Sequence, residues 1–148
     1  MNPKGDTDKL IGEIVPFAKQ MLAEHGEFHP FGGFMGIDRA INHAGGEVAG
    51  QEFPRGVDLI RLLEEGLRER ARTGQIVAAA IVSNVRVKTP GSADKSDAIQ
   101  ATVEHCDAYC ADVFYPYMID RQGTVTYGPV FAQAGVRRIF VDRANEPK

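Results

Sequence analysis

Gln75-Ile76-Val77-Ala78-Ala79-Ala80-Ile81-Val82-Ser83-Asn84-Val85-Arg86-Val87-Lys88 is the stretch that decides how this chain folds. From Ile76 to Val82 every position is apolar, as in a strand covered on both faces. After Ser83 the pattern alternates, placing Val85 and Val87 on one face and Asn84, Arg86 and Lys88 on the other. The strand therefore begins deep in the protein and ends in water.

Upstream, Leu59, Leu62, Leu63 and Leu67 recur at intervals of three and four, with Arg61, Glu64, Glu65, Arg68, Glu69 and Arg72 opposite them. This spacing predicts a helix over about residues 57–73, ended by Gly74. An earlier helix is predicted from the stripe Leu10, Ile14, Phe17 and Met21, flanked by Ile11, Val15, Ala18 and Leu22 and stopped by Gly26. Pro16 lacks a backbone donor, so it predicts a kink or the start of a second helix. Residues 1–8 are polar and contain Pro3 and Gly5, which predicts a flexible N-terminal tail. Between the helices, Phe31, Gly33 and Met35 share one face of a strand, and Gly32, Phe34 and Gly36 share the other. The glycines predict close approach of a helix or a strongly bent strand. A second short strand is read at 46–50.

Downstream, residues 89–97 hold nearly every loop-forming residue type. Ile99, Ala101 and Val103 then alternate with Gln100, Thr102 and Glu104, which predicts a half-buried strand with the polar set in water. Cys106 to Cys110 reads as a turn and Ala111 to Met118 as a returning strand, at an edge or bulged because Pro116 cannot donate to a ladder. A further strand runs from Thr124 to Phe131, ended or bent at Gly128-Pro129. Val136 to Val141 is a last strand or a closing segment. Strands joined by hairpins, with amphipathic helices to cover them, predict an α+β fold: an antiparallel sheet of about five to six strands with two main helices packed on one face. The length of 148 residues suits a single domain spanning 1–148.

A net charge of -3 argues against non-specific nucleic-acid binding, which needs clustered cations. The densest basic run, Arg68, Arg70 and Arg72, is interleaved with Glu64, Glu65 and Glu69, a self-paired solvated helix face. No segment approaches the ~20 apolar residues of a membrane span. Without an export signal the expected address is the cytoplasm, where Cys106 and Cys110 stay thiols.

His25, His29, His43, His105, Cys106 and Cys110 are the residues that could ligate a metal. Gly26 and Pro30 break the helical face that His25 and His29 would need, and the usual CxxC pairing is absent. A three-residue turn at Asp107 to Tyr109 would place Cys106 opposite Cys110. His105 and Cys106, as neighbours on one strand, point to opposite faces and form no thiol–base pair. No phosphate loop, dinucleotide fingerprint, GxSxG or HExxH occurs. No metal, cofactor or catalytic residue is therefore predicted.

Aromatic residues are the remaining signal. Tyr115 and Tyr117 share one strand face and Phe114 lies on the other, so a face left uncovered would offer a surface for self-association. His29, His105, Phe114, Tyr115, Tyr117 and Tyr127 are accordingly the candidate ligand or partner surface. Two functions follow. The first is a non-catalytic protein-binding or assembly module, homodimeric through its sheet face or an edge strand. The alternative is a pocket that binds a small molecule or metal, with Asp112 and Asp120 near the aromatics, including a small enzyme that uses His and Tyr residues.

Gly26-Glu27-Phe28-His29-Pro30-Phe31-Gly32, with Asp97-Ala98-Ile99 and Val113-Phe114-Tyr115-Pro116-Tyr117, resembles segments that recur in small bacterial proteins of a domain-of-unknown-function type. The element order is also similar to the start of roadblock and profilin-like modules: a helix, a hairpin, a helix and a three-strand meander. This resemblance implies a fold and no chemistry.

Overall fold

Strand β3 (Ile76–Lys88) occupies the middle of the sheet in the computed structural model, which describes residues 2–45 and 56–141. Around it stand α1 (Pro3–His25), β1 (Phe31–Gly36), β2 (Ile41–Ala44), α2 (Gly56–Arg72), β4 (Lys95–His105), β5 (Tyr109–Ile119), β6 (Val125–Tyr127) and β7 (Phe131–Ala134). The strands form an antiparallel sheet in the order β2-β1-β3-β4-β5-β6, with β7 also paired to β5. The described residues hold seven strands rather than five to six, because Gly128-Pro129 splits the run after Thr124 in two. The strand expected at 46–50 lies outside the described residues, and β1 pairs instead with Ile41–Ala44.

The burial of β3 matches its sequence pattern: Ile76 to Ser83 are buried, and from Asn84 onward exposed and half-buried residues alternate. Ala78, Ala80 and Val82 pack in a core with Leu10, Ile14 and Leu22 of α1. Ala79 and Ile81 pack with Leu59, Leu63 and Leu67 of α2. The two helices therefore cover opposite faces, which corrects the expectation of both on one face. Helices on a single face would leave half of an apolar strand in water. Adjacent glycines of β1 mark the two layers. A Cβ at Gly33 would lie 2.8 Å from Ile14 Cγ2, whereas one at Gly32 would lie 3.0 Å from the Ala80 carbonyl oxygen and 3.6 Å from Leu67 Cδ1.

Helix α1 begins earlier than the composition of its first residues suggested. Asn2 Oδ1 accepts the Gly5 N–H at 3.0 Å, Pro3 occupies the first turn, where its missing donor costs nothing, and Thr7 is already buried. Residues 3–8 are thus helical rather than a frayed tail. The helix also continues through Pro16, which lies on its exposed side, where water can serve the carbonyl that loses its partner. No helix among the described residues is long and apolar enough to cross a membrane.

On β5, residues Ala111–Phe114 pair with β7 and Tyr117–Ile119 with β6. Pro116 sits in the break, its carbonyl accepting the Gly128 N–H at 2.9 Å. In an antiparallel ladder a residue directs N–H and C=O to the same neighbour, so the donor Pro116 lacks faces this break and not β4.

Residues 136–141 do not form another strand. They are held instead by Glu104, a residue the alternating pattern assigned to water but which is only 1% exposed. The Glu104 carboxylate accepts the N–H groups of Arg138 and Ile139 at 3.0 Å and of Phe140 at 3.2 Å. Ile139 and Phe140 thereby enter the α2-side core. Removing the carboxylate strands buried donors, so Glu104→Ala is expected to lower unfolding free energy by about 3 kcal/mol. Glu104→Gln, which keeps one acceptor oxygen, is expected to cost less. Urea denaturation with amide exchange at Ile139 and Phe140 measures both, and wild-type stability in Glu104→Ala would show that packing alone holds the segment.

Candidate functional site

Where α2 stops covering its face of the sheet, the strand floor turns polar. The register sets Ser83 of β3 opposite Gln100 of β4, and Thr102 of β4 between Ile81 of β3 and Asp112 of β5. Four polar side chains on neighbouring positions therefore point to the α2 side. Ile60 and Glu64 of α2 form one wall, Val136 and Arg138 of the 136–140 segment form the other, and the partly open cleft between them has a volume of about 190 Å³. Glu64 Oε1 lies 3.7 Å from Arg138 Nη1, an ion pair across the two walls.

Ser83 is only 9% exposed and lines this cleft. Among the described residues, no protein hydrogen bond engages the side chains of Ser83, Gln100, Thr102 or Asp112. Asp112 also has no basic side chain in ion-pair contact among the described residues, and its charge is felt nearby. Burial pushes the Cys110 thiol pKa up, Glu104 and Asp112 add to the rise, and Arg137 opposes it.

His105, Phe114 and Tyr117 are interior residues, so they form no part of an open surface. His105 is fully buried on the α1 side. Its Nδ1 accepts the Asp107 N–H at 3.0 Å, so the ring proton sits on Nε2 and is donated to Asp6 Oδ2 at 2.9 Å. This ties the first turn of α1 to the β4–β5 turn. Phe114 stacks on Phe131 with ring centroids 4.9 Å apart. The Tyr117 hydroxyl donates to Asn84 Oδ1 at 2.7 Å beneath α1. Tyr115 and Tyr127 flank Lys19 of α1, whose Nζ lies 5.4 and 4.7 Å from their ring centroids. The tyrosine face is therefore capped by a helix. His29 is exposed beside an apolar hollow lined by Phe17, Phe28 and Phe31. Only Tyr115, Tyr117 and Tyr127 of the expected set come together. Asp120 caps its own turn, accepting the N–H groups of Gln122 and Thr124.

The β4–β5 turn corrects two further expectations. Cys110 pairs with Glu104, so it is not opposite Cys106, and neither cysteine is in a disulfide. Cys106 Sγ lies 3.8 Å from His105 Nδ1, because Cys106 is past the last paired residue of β4, where strand alternation no longer holds. The contact does not activate the thiol. The Nδ1 lone pair already receives the Asp107 N–H, and burial, then the Asp107 charge, push the Cys106 pKa up. Among the described residues no three His, Cys, Asp or Glu side chains are grouped to hold a metal ion.

Comparison of the chain with protein-family models, curated proteins and solved structures gives no match.

Ser83, Gln100, Thr102, Glu64 and Arg138 were missed as site residues, because their polar character reads equally well as a solvated strand face and a solvated helix. Aligning the strands in register would have grouped the first three with Asp112. A raised thiol pKa means less thiolate at neutral pH, so Cys106 in a Cys110→Ala background is expected to alkylate more slowly than a free cysteine at pH 7. Its rate should climb as pH passes the ordinary thiol value. Iodoacetamide kinetics followed by mass spectrometry measure this, and a rate at or above that of the free amino acid would contradict the geometry.

Proposed function

We propose that this chain is a binding protein that takes a small polar molecule into the cleft between α2 and the sheet. The observation that carries this reading is the set of four adjacent polar side chains, Ser83, Gln100, Thr102 and Asp112, that line a partly open cleft and make no hydrogen bond to protein among the described residues. Buried polar groups in folded proteins are ordinarily hydrogen-bonded, since leaving one unmade costs about 1–3 kcal/mol. Among the described residues no buried side-chain nitrogen or oxygen is left without a partner: His105, Tyr117 and Glu104 are satisfied by protein groups, whereas the polar atoms of the four cleft residues open onto the cleft itself. A cavity with convergent polar groups and an apolar wall is the usual form of a small-molecule site.

A homodimer is a second reading, favoured by one feature of the β6–β7 edge. Met118 (73% exposed) and Val130 (55%) stand with Tyr127 around an apolar hollow beside edge strands that carry no charged residue. Such an edge is open to pairing with a second copy.

For the cleft, a metabolite panel screened by thermal shift is expected to yield a ligand that raises Tm in the wild type and not in Asp112→Ala. At a hundred-fold excess over Kd the gain is about 2.7 kcal/mol. A broad panel that moves neither Tm nor the amide resonances of Thr102 and Asp112 would count decisively against a ligand cleft. For the edge, native mass spectrometry is expected to show a dimer that Val130→Asp dissociates. A monomer at tens of micromolar concentration would rule the dimer out.

A further inference from the structure

We propose that the molecule held in the α2-side cleft is a small zwitterion, carrying one primary ammonium and one carboxylate on a short aliphatic frame. This rests on the reading of that cleft as a ligand site. The charged groups lining it are Glu64, Asp112 and Arg138. Glu64 and Arg138 face each other at 3.7 Å, too long for a tight hydrogen bond, so they balance in charge while the guanidinium keeps donors to offer. Asp112 is half-buried with no basic side chain in ion-pair contact among the described residues, and a carboxylate withdrawn from water is stabilised by an opposite charge. The ligand supplies that charge.

An ammonium presents three donors, and the floor answers them with acceptors: the Asp112 carboxylate, the Thr102 and Ser83 hydroxyls and the Gln100 amide oxygen. The hydroxyls of Ser83 and Thr102 stand on neighbouring strands of the floor, so a donor group placed against Asp112 has a second acceptor at hand. Arg138 across the mouth matches a carboxylate, which its planar fork can bind through two N–H groups. Ile60, Ile81 and Val136 leave an apolar wall for a short hydrocarbon chain. The size agrees with this class. A cleft of about 190 Å³ is on the scale of a small metabolite such as an amino acid. Among the described residues one guanidinium and two carboxylates line the cleft, a balance that also disfavours phosphates.

Alanine, serine, threonine and valine, with their N-acetyl and carboxamide derivatives and the polyols glycerol and ribose, are titrated into the full chain. Amide shifts in ¹⁵N-HSQC spectra and calorimetry report binding. At least one parent amino acid is expected to shift the amides of Thr102, Asp112 and Arg138, and its N-acetyl form to bind about ten-fold more weakly or worse. Asp112→Asn is expected to weaken the parent by a similar factor with resonances outside the cleft unmoved. Arg138→Gln is expected to weaken the parent and leave its carboxamide unaffected. If a polyol or an N-acetyl derivative binds at the same residues as well as the parent, and Asp112→Asn has no effect, the zwitterion is wrong while the ligand cleft stands. If no probe moves a cleft resonance but a compound of the broader panel does, the zwitterion again fails alone; if neither does, both fail.

Discussion

A strand buried on both faces is the constraint on which the rest of this structure depends. Ile76 to Ser83 offer almost no surface to water, and apolar area of that extent is stable only when each face is covered. One helix cannot reach both sides of a sheet, so the chain places α1 on one and α2 on the other. Ala78, Ala79 and Ala80 keep the centre of the strand thin, and Gly32 and Gly33 do the same on β1, so both helices approach closely. The layer order follows from side-chain size as much as from hydropathy.

That strand was readable residue by residue, including the change from continuous burial to alternation after Ser83. The second helix and the opposite orientation of Phe114 to Tyr115 and Tyr117 were readable as well, since both depend on local periodicity alone. What periodicity does not encode is the side of the sheet to which a helix crosses, and here the placement of α2 was misjudged. Residues 3–8 were misjudged for a related reason: Pro3, Gly5 and Asp6 look like breakers, yet at a helix start proline fits the first turn and an acidic side chain suits the exposed N–H groups. Glu104 was the least legible residue. A charged side chain at an alternating polar position points to solvent on every local rule, and only the return of residues 138–140 makes it internal.

The cleft was illegible in the same way, because its floor comes from three strands and its walls from a helix and an irregular segment. The contrast with the other polar sites is chemical. Asp6 with His105, Asn84 with Tyr117, and Glu104 with its backbone donors each form sets engaged by protein partners. Such sets fix a fold. The row formed by Ser83, Gln100, Thr102 and Asp112 is open, and it carries more acceptor than donor character. The guanidinium that lines the cleft, that of Arg138, stands on the opposite wall and is paired there with Glu64.

Glu104 grips one wall of that cleft through backbone N–H groups and not through side chains. A grip of this kind is indifferent to residue identity: any amino acid except proline presents the same donor. Positions 136 and 138, whose side chains line the cleft, can therefore drift during evolution while the wall keeps its place. The fold thus separates the residues that set the shape of the cleft from those that set its selectivity. Relatives sharing this architecture would be expected to retain an acidic residue at position 104 and to diverge at 136 and 138 as their ligands diverge.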